Sequence, residues 1–173
     1  MDILKEYDIF HVALNLGEYD YKFYINTEFF KAFNSEINEG LIDVDVCLEK
    51  TSNVSYRLFL NLNGWVKSNC GRCEIVYQLP VRIEKIVPIK ITDKDFEDDE
   101  VLIINSQDYC IELAQLFYEL IVLELPMVAI PCEIQNDLSL CNKDVIERLK
   151  SITPKEKEIT DPRWEGLKQF LNK

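Results

Sequence analysis

The sequence predicts an α+β fold in which an antiparallel sheet packs against a buried amphipathic helix and short C-terminal helices follow. Apolar and polar residues alternate along several stretches between residues 41 and 92, which is typical of half-buried strands. After residue 108, apolar residues recur at steps of three and four, which indicates a helix. Capping residues then mark two further helix starts.

The composition is that of one folded domain. The chain has 173 residues, of which 47% are hydrophobic, and its nine Phe and eight Tyr supply ample material for a core. We expect a single domain over 1–173, with strands and a turn in 1–40, the sheet in 41–105 and a helical part in 106–173. No run of eighteen apolar residues and no apolar leader segment is present, so we expect a cytoplasmic protein without a membrane partner.

The N-terminal quarter contains two aromatic stretches, YDIFHVAL and YDYKFYI, that we interpret as strands. The segment TEFFKAF predicts a helical turn capped by the Thr27 hydroxyl. In the following sheet, Asn63-Gly64 predicts a turn. Pro80 and Pro88 indicate an edge strand or bends, because proline cannot donate to a strand ladder. One face of each central strand is apolar: Ile42, Val44, Val46 and Leu48, then Val54, Tyr56, Leu58, Leu60 and Leu62.

The buried helix is predicted over 108–124 and ends before Pro126. Its apolar face consists of Tyr109, Leu113, Leu116, Leu120 and Leu123, widened by Phe117 and Ile121. Asn142 can cap a second helix, KDVIERLK. Asp161 and Pro162 suit the start of a third helix, since Asp is a good N-cap and Pro fits the first helical position.

The net charge of −12 restricts the classes of partner. Phosphate neutralisation supplies most of the affinity for nucleic acid, so we expect no DNA partner and RNA binding only through a local basic patch. A basic protein partner agrees better with this charge, although acidity also simply keeps proteins soluble. The segment DKDFEDDE at 93–100 is interpreted as a solvated loop, because it lacks the glycine pattern of a calcium loop.

The stretch SNCGRC places Cys70 and Cys73 in a CxxC motif. A redox pair is disfavoured, because a strand and not a helix N-terminus follows. A structural zinc site needs a tight turn, which Gly71 favours, and two more thiolates, for which Cys132 and Cys141 are the candidates. Four thiolates leave no open position, so such a four-cysteine zinc knuckle would be structural. The alternative is that all six cysteines are ordinary buried thiols, as we expect for Cys47 and Cys110.

Positive evidence for catalysis is lacking in the sequence. His11 is the only histidine, and its apolar surroundings favour a packing role. Phosphate-binding and dinucleotide-binding glycine motifs are absent. Glu112 and Glu119 would lie about 10 Å apart on one helix, which favours a solvated edge over a carboxylate pair. We therefore expect a protein that is not an enzyme, with a metal-dependent RNA-processing enzyme or a redox-responsive adaptor as alternatives.

Several segments occur in a characteristic order: CGRC after an alternating strand, an acidic loop, ELIVLELPM, PCEIQNDLSLC and DPRWEGLKQFL. Over roughly 40–173 this order resembles the YceD family, the large ribosomal RNA subunit accumulation proteins. The resemblance implies a role in accumulating or maturing large-subunit ribosomal RNA. It matches the family's cysteines to Cys70, Cys73 and Cys141. It also places Cys132 near a position where the family usually has a histidine.

Two modes of action are compatible with such a role. A local basic face could contact RNA directly through Lys67, Arg72, Arg82 and Lys85, with Arg72 in the CxxC turn suited to a phosphate. Alternatively, the acidic surface, including 93–100, could hold a basic ribosomal protein or a processing factor. The charge balance favours the second mode.

Overall fold

The computed structural model describes residues 3–93, 101–131 and 141–152, and elements are numbered within these ranges. A short 3-10 helix occupies Ile3–Tyr7. The strands are β1 (Asp8–Phe10), β2 (Gly17–Ile25), β3 (Gly40–Ser52), β4 (Ser55–Asn69), β5 (Val76–Ile91), β6 (Leu102–Ile104) and β7 (Cys110–Glu112). The helices are α1 (Thr27–Ala32), α2 (Ala114–Glu124) and α3 (Lys143–Ile152). The predicted α+β class is confirmed.

The main sheet has five strands in the order β2-β3-β4-β5-β6. Its first four strands pair antiparallel, as predicted. The fifth, β6, pairs with β5 in parallel over Ile89–Ile91, so the sheet is mixed and not purely antiparallel. Pro80 lies in the part of β5 that pairs with β4 alone, which agrees with the edge position that proline predicts. A second sheet joins β1 to β7.

The core lies on one face of the main sheet, beneath α1, α2 and the small sheet. The alternation predicted for β3 and β4 is confirmed: Leu48, Leu58 and Leu62 are fully buried. Tyr7 lies at the centre of the core, where its ring meets the Phe29 ring edge-on at 5.0 Å between centroids. The opposite face of the sheet carries the exposed side chains of the same strands, among them Asp43, Asp45, Asn61, Asn63, Arg82 and Glu84.

The turn predicted at Asn63-Gly64 is wrong, because β4 runs without interruption through both residues. The β3–β4 hairpin instead turns at Asn53 and Val54, between the paired Ser52 and Ser55. Gly64 is not part of a turn. It allows the backbones of β3 and β4 to approach closely. A Cβ on Gly64 would lie 2.1 Å from the carbonyl oxygen of Leu41 on β3.

The predicted helix over 108–124 is correct only from residue 114 onward. Cys110–Glu112 is the strand β7, because these residues pair with β1, a contact a hundred residues away that local periodicity cannot reveal. Tyr109, assigned to the apolar stripe, is 73% exposed, and Leu123 is also exposed. The buried side of α2 is formed by Ala114, Phe117 and Ile121.

The first helix is capped one residue earlier than predicted. The side chain of Asn26, and not that of Thr27, accepts hydrogen bonds from the backbone N–H groups of Glu28 and Phe29. The second predicted helix, KDVIERLK, is confirmed as α3. The third, at Asp161, lies outside the described residues, as does most of the acidic loop. Across the described ranges, no helix has the length and apolar character needed to cross a membrane.

Candidate functional site

Three of the four cysteines predicted to bind zinc come together at one end of the sheet. Cys70, Cys73 and Cys141 form a small buried cluster of their own, separate from the main core, and each is at most 7% exposed. Tyr77, Ile130, Val145 and Ile146 pack around them. Residues 70 and 141 are far apart in sequence, so the fold and not the chain connectivity brings these thiols together.

The CxxC segment forms a tight turn between β4 and β5. The carbonyl oxygen of Cys70 accepts a 2.9 Å hydrogen bond from the N–H of Glu74, and the N–H of Cys70 donates a 2.9 Å bond to Ile75. Glu74 adopts a left-handed conformation with φ of 58°. Few residues other than Gly, Asn and Asp take up this conformation, so the sequence carried no signal for Glu74. The closed turn presents Cys70 and Cys73 to the same side.

Gly71 fits this turn because the chain after α2 passes directly above it. The N–H of Gly71 donates a 3.0 Å hydrogen bond to the carbonyl oxygen of Ala129. A Cβ on Gly71 would lie 2.5 Å from Cγ1 of Val128. The prediction that Gly71 favours a tight turn is therefore correct, and the close contact with Val128 is an additional reason for glycine.

Cys141 is positioned by the start of α3. Asn142 follows it directly, and its side chain accepts a 3.1 Å hydrogen bond from the N–H of Asp144. The carbonyl oxygen of Asn142 accepts from the N–H of Ile146, which begins the helix. The capping role predicted for Asn142 is thus confirmed, and it places Cys141 at the positive end of the helix dipole.

The Cys73 thiol has a pKa below its ordinary value. Its pKa is lowered chiefly by a hydrogen bond from the N–H of Ile75 to the sulfur, with a further contribution from the N–H of Asn142. Burial opposes this effect, while contacts with the thiols of Cys70 and Cys141 add to it. Donors aimed at the sulfur stabilise a thiolate, which is the form that binds metal or reacts with oxidants.

The three thiols are chemically suited to bind a soft metal ion. The described ranges, however, contain only three of the four predicted ligands. Buried cysteine thiolates are typical ligands of structural zinc. However, no group of three or more His, Cys, Asp or Glu side chains in 3–93, 101–131 and 141–152 is arranged to hold a metal ion. Cys132, the fourth predicted ligand, lies outside those ranges. Beside the cluster, the hydroxyl of Tyr77 is buried without a well-formed hydrogen bond.

The four basic residues predicted to contact RNA lie along the β4–β5 ladder and do not share one spot. Lys67 forms an ion pair with Glu39, and Arg72 is half-buried in the CxxC turn. Arg82 is exposed on the outer face of β5, opposite Asn63. Lys85 is exposed as well, but it lies opposite the buried Leu60 and so on the other side of the strand.

Comparison with known proteins identifies the family. A family model described as "Large ribosomal RNA subunit accumulation protein YceD" matches residues 58–171, well over half of the chain. The chain belongs to the YceD family. The matched range includes the CxxC turn, α2 and Cys141, and the membership supports a ribosome-related role. No curated protein and no solved structure matches the chain significantly.

In this YceD-family chain, the remaining cysteines of the described ranges lie away from the cluster. Cys47 and Cys110 are half-buried, on β3 and β7 respectively, and neither forms a disulfide. Burial is the main cause that raises the pKa of each thiol, and nearby carboxylates, Asp20 for Cys47 and Asp8 for Cys110, add to the effect. Cys110 was expected on a helix and lies on a strand. A raised pKa disfavours the thiolate, which is the form that binds metal.

His11 is a structural residue in this fold. It is 4% exposed, and its Nε2 lies 3.0 Å from the carbonyl oxygen of Asp108. Its Nδ1 lies 3.4 Å from the hydroxyl of the buried Tyr56. A carbonyl can only accept, so Nε2 carries the proton and Nδ1 accepts from the tyrosine. The packing role predicted for His11 agrees with this environment.

Proposed function

We propose that the protein is a non-catalytic ribosome-biogenesis factor that supports the accumulation or processing of large-subunit ribosomal RNA in the cytoplasm. The family match over residues 58–171 is the observation that carries the proposal. The same range contains the buried cysteine cluster. Both nitrogens of the single histidine contact other parts of the fold, which supports a non-catalytic role for this residue.

The acidic surface is the proposed contact for a basic ribosomal protein or a processing factor. The chain carries a net charge of −12. The outer face of the main sheet holds several carboxylates, of which Asp45 is ion-paired with Lys22, and Glu49 with Arg57. The others on this face are Glu18, Asp20, Asp43 and Glu84. The cations Arg82 and Lys90 lie on this face as well, so the negative potential comes from the net charge of the whole chain. Such a potential attracts basic segments and increases their rate of association.

Direct contact with RNA is the less favoured mode. Of the four candidate cations, Lys67 is already paired with Glu39, and Glu84 lies between Arg82 and Lys85 in sequence. Phosphate binding requires positive charge concentrated in one place. The strand positions of Arg82 and Lys85 put them on opposite sides of β5.

Zinc is the proposed cofactor, in a structural role. Cys70, Cys73 and Cys141 would supply three thiolates, and Cys132 is the proposed fourth ligand. The lowered pKa of Cys73 and the N–H groups aimed at its sulfur support this assignment. A closed four-thiolate site stabilises the fold and leaves no position for substrate. The ion would join the β4–β5 turn to the start of α3.

A tagged pull-down from lysate, run with and without ribonuclease, tests the function. We expect ribosomal or processing proteins of the large subunit to remain bound after ribonuclease treatment. Recovery of large-subunit precursor RNA after basic proteins have been stripped would instead support direct RNA binding. If neither class is enriched over a tag-only control, the proposal is wrong.

Charge variants separate the two modes. In the double variant Arg82→Glu/Lys85→Glu, direct RNA binding should be lost, whereas an acidic adaptor should retain its basic partner. The double variant Lys5→Glu/Lys31→Glu changes the net charge equally, at exposed positions away from β5, and serves as the matched control. Equal loss of RNA in both variants would indicate a general charge effect.

A redox-responsive adaptor is the second candidate, because Cys73 combines a lowered pKa with two thiol neighbours. Under mild oxidant, a Cys70–Cys73 disulfide would form, with loss of two titratable thiols and of partner binding. Bound zinc would protect the thiolates, and zinc release would precede oxidation. Thiol titration with parallel metal analysis distinguishes the two candidates.

A further inference from the structure

We infer that the outer edge of β2 is a self-complementary surface through which two copies of this chain pair, extending the sheet from one copy into the other. In the described part of the chain, β2 is the first strand of the main sheet and pairs with β3 alone. A nine-residue edge strand exposes backbone donors and acceptors that readily pair with another strand. This inference does not depend on the proposed function.

The sequence of β2 is complementary to itself when two copies run antiparallel. With a two-fold axis at Tyr21, Asp20 of one copy lies opposite Lys22 of the second, and the reciprocal pair forms on the other side of the axis. On the opposite face of the strand, Tyr19 of one copy lies opposite Phe23 of the second. Directly opposed residues in antiparallel strands have Cβ atoms about 4.5–5.5 Å apart, so charge pairs and aromatic pairs both stabilise this register. A register shifted by one residue would lose both the charge pairs and the aromatic pairs.

From Glu18 to Tyr24 the side chains of this strand are exposed or half-buried, so they can make new contacts while keeping those within their own copy. The Tyr19 hydroxyl hydrogen-bonds with the backbone of Asn15, and the Phe23 ring packs on that of Phe117. Lys22 pairs with Asp45 at 3.0 Å within its own copy, but 73% of its side chain is exposed. An exposed pair of this kind contributes little, so Lys22 can turn to Asp20 of the second copy at small cost. Tyr21 is half-buried and stacks on Phe23, with 6.4 Å between the ring centroids. Pairing would cover more of both rings.

The affinity of the dimer depends on how many residues of β2 are available for pairing. The hydroxyl of Tyr7 donates a 3.0 Å hydrogen bond to the carbonyl oxygen of Tyr24 and so occupies one end of β2. Pairing therefore centres on Tyr19–Phe23. An interface of about five residues per copy lies below the size of a standard stable interface. We expect a reversible dimer with a dissociation constant in about the micromolar range.

Sedimentation velocity on the full chain tests this pairing with two charge variants. Asp20→Lys places lysine opposite Lys22 of the second copy, and Lys22→Asp places aspartate opposite Asp20. Each variant alone carries two like-charge contacts across the axis, so its dissociation constant should rise about ten- to a hundredfold. An equimolar mixture of the two variants restores both opposite-charge pairs in the mixed dimer. Association should therefore return on mixing.

The sedimentation experiment is run at physiological ionic strength. Each chain carries a net charge of −12, and the electrostatic repulsion between two copies is then screened beyond about 8 Å. Circular dichroism confirms that each variant is folded. A wild-type chain that stays monomeric overturns the inference, as do single variants that associate like wild type or a mixture that fails to recover. If the protein is monomeric and its β2 amides are nevertheless protected from hydrogen exchange, another segment of the same chain pairs with the edge of β2.

Cysteine crosslinking checks the register independently. The variant Tyr21→Cys should form a disulfide with itself under mild oxidant, because the two-fold axis brings residue 21 of both copies together. Phe23→Cys should crosslink to Tyr19→Cys in a mixture and not to itself. Crosslinks of Phe23→Cys to itself would contradict the register.

Discussion

The backbone N–H of Gly71 donates a 3.0 Å hydrogen bond to the carbonyl oxygen of Ala129. This bond joins the CxxC turn to the chain that leaves α2, about sixty residues further along the sequence. It forms only where the two backbones approach closely, and Gly71 permits that approach because it has no Cβ. The position of the cysteine cluster relative to α2 therefore depends on a glycine.

Gly71→Ala should lower the free energy of unfolding by about 1–3 kcal/mol, because the new Cβ would lie 2.5 Å from Cγ1 of Val128. Val128 is 64% exposed, so Val128→Ala alone should change stability by less than about 0.5 kcal/mol. The double variant should recover most of the loss, since the obstructing methyl groups are gone. Urea denaturation of the four proteins measures the coupling. Additive effects would show that the steric contact is not the cause.

Cys141→Ser tests the cysteine cluster as a zinc site. We expect purified protein to contain about one zinc per chain by metal analysis, and the variant to lose it. A chelator should then lower the melting temperature of the wild type and leave that of Cys141→Ser unchanged. Both results follow because binding energy at a structural site is folding energy.

Cys47→Ser is the matched control for this experiment, since Cys47 is half-buried on the outer face of β3 and away from the cluster. It should keep its zinc and its response to the chelator. A wild type that contains no metal and ignores the chelator would exclude zinc. In that case the cost of Cys141→Ser, about 1–3 kcal/mol, would reflect only the burial of a hydroxyl in place of a thiol.

Gly64→Ala should destabilise the protein more than Gly71→Ala does. Its Cβ would lie 2.1 Å from the carbonyl oxygen of Leu41 and 2.6 Å from the Cα of Ile42, and both atoms are backbone. No side chain can move aside, so β3 and β4 must separate, at a cost of about 3 kcal/mol or more. Asn63→Ala, at the neighbouring exposed position, should cost less than about 0.5 kcal/mol by the same denaturation measurement. Similar values for the two variants would contradict this explanation.

His11 and Tyr56 should be energetically coupled. Removing His11 leaves the buried hydroxyl of Tyr56 without its 3.4 Å partner, so His11→Ala should cost about 2–4 kcal/mol. Tyr56→Phe should cost about 1 kcal/mol, and the double variant should lose less than the sum of both, by about 1 kcal/mol. Tyr24→Phe, at a ring that is 68% exposed, is the control and should be neutral. Strict additivity would show that the hydrogen bond contributes nothing.

Short-range patterns predicted much of this fold. The alternation along β3 and β4 correctly identified the buried faces, because side chains point to opposite sides of a strand whatever surrounds it. The cap at Asn142 and the helix after it were also predicted, since a cap acts within three residues. Gly64 was misinterpreted, because Asn-Gly is typical of a hairpin turn. The close approach of Leu41 on β3, which excludes a Cβ at this position, is a tertiary contact that the dipeptide does not reveal.

The sequence by itself determined the α+β class, the faces of the central strands and the CxxC turn, because each depends on contacts between residues close in the chain. Only the tertiary structure decided that Cys110–Glu112 is a strand, since its partner is β1. It alone brought Cys141 to Cys70 and Cys73, and it alone left the edge of β2 open within the described residues. These features depend on how distant segments pack, which local periodicity does not encode.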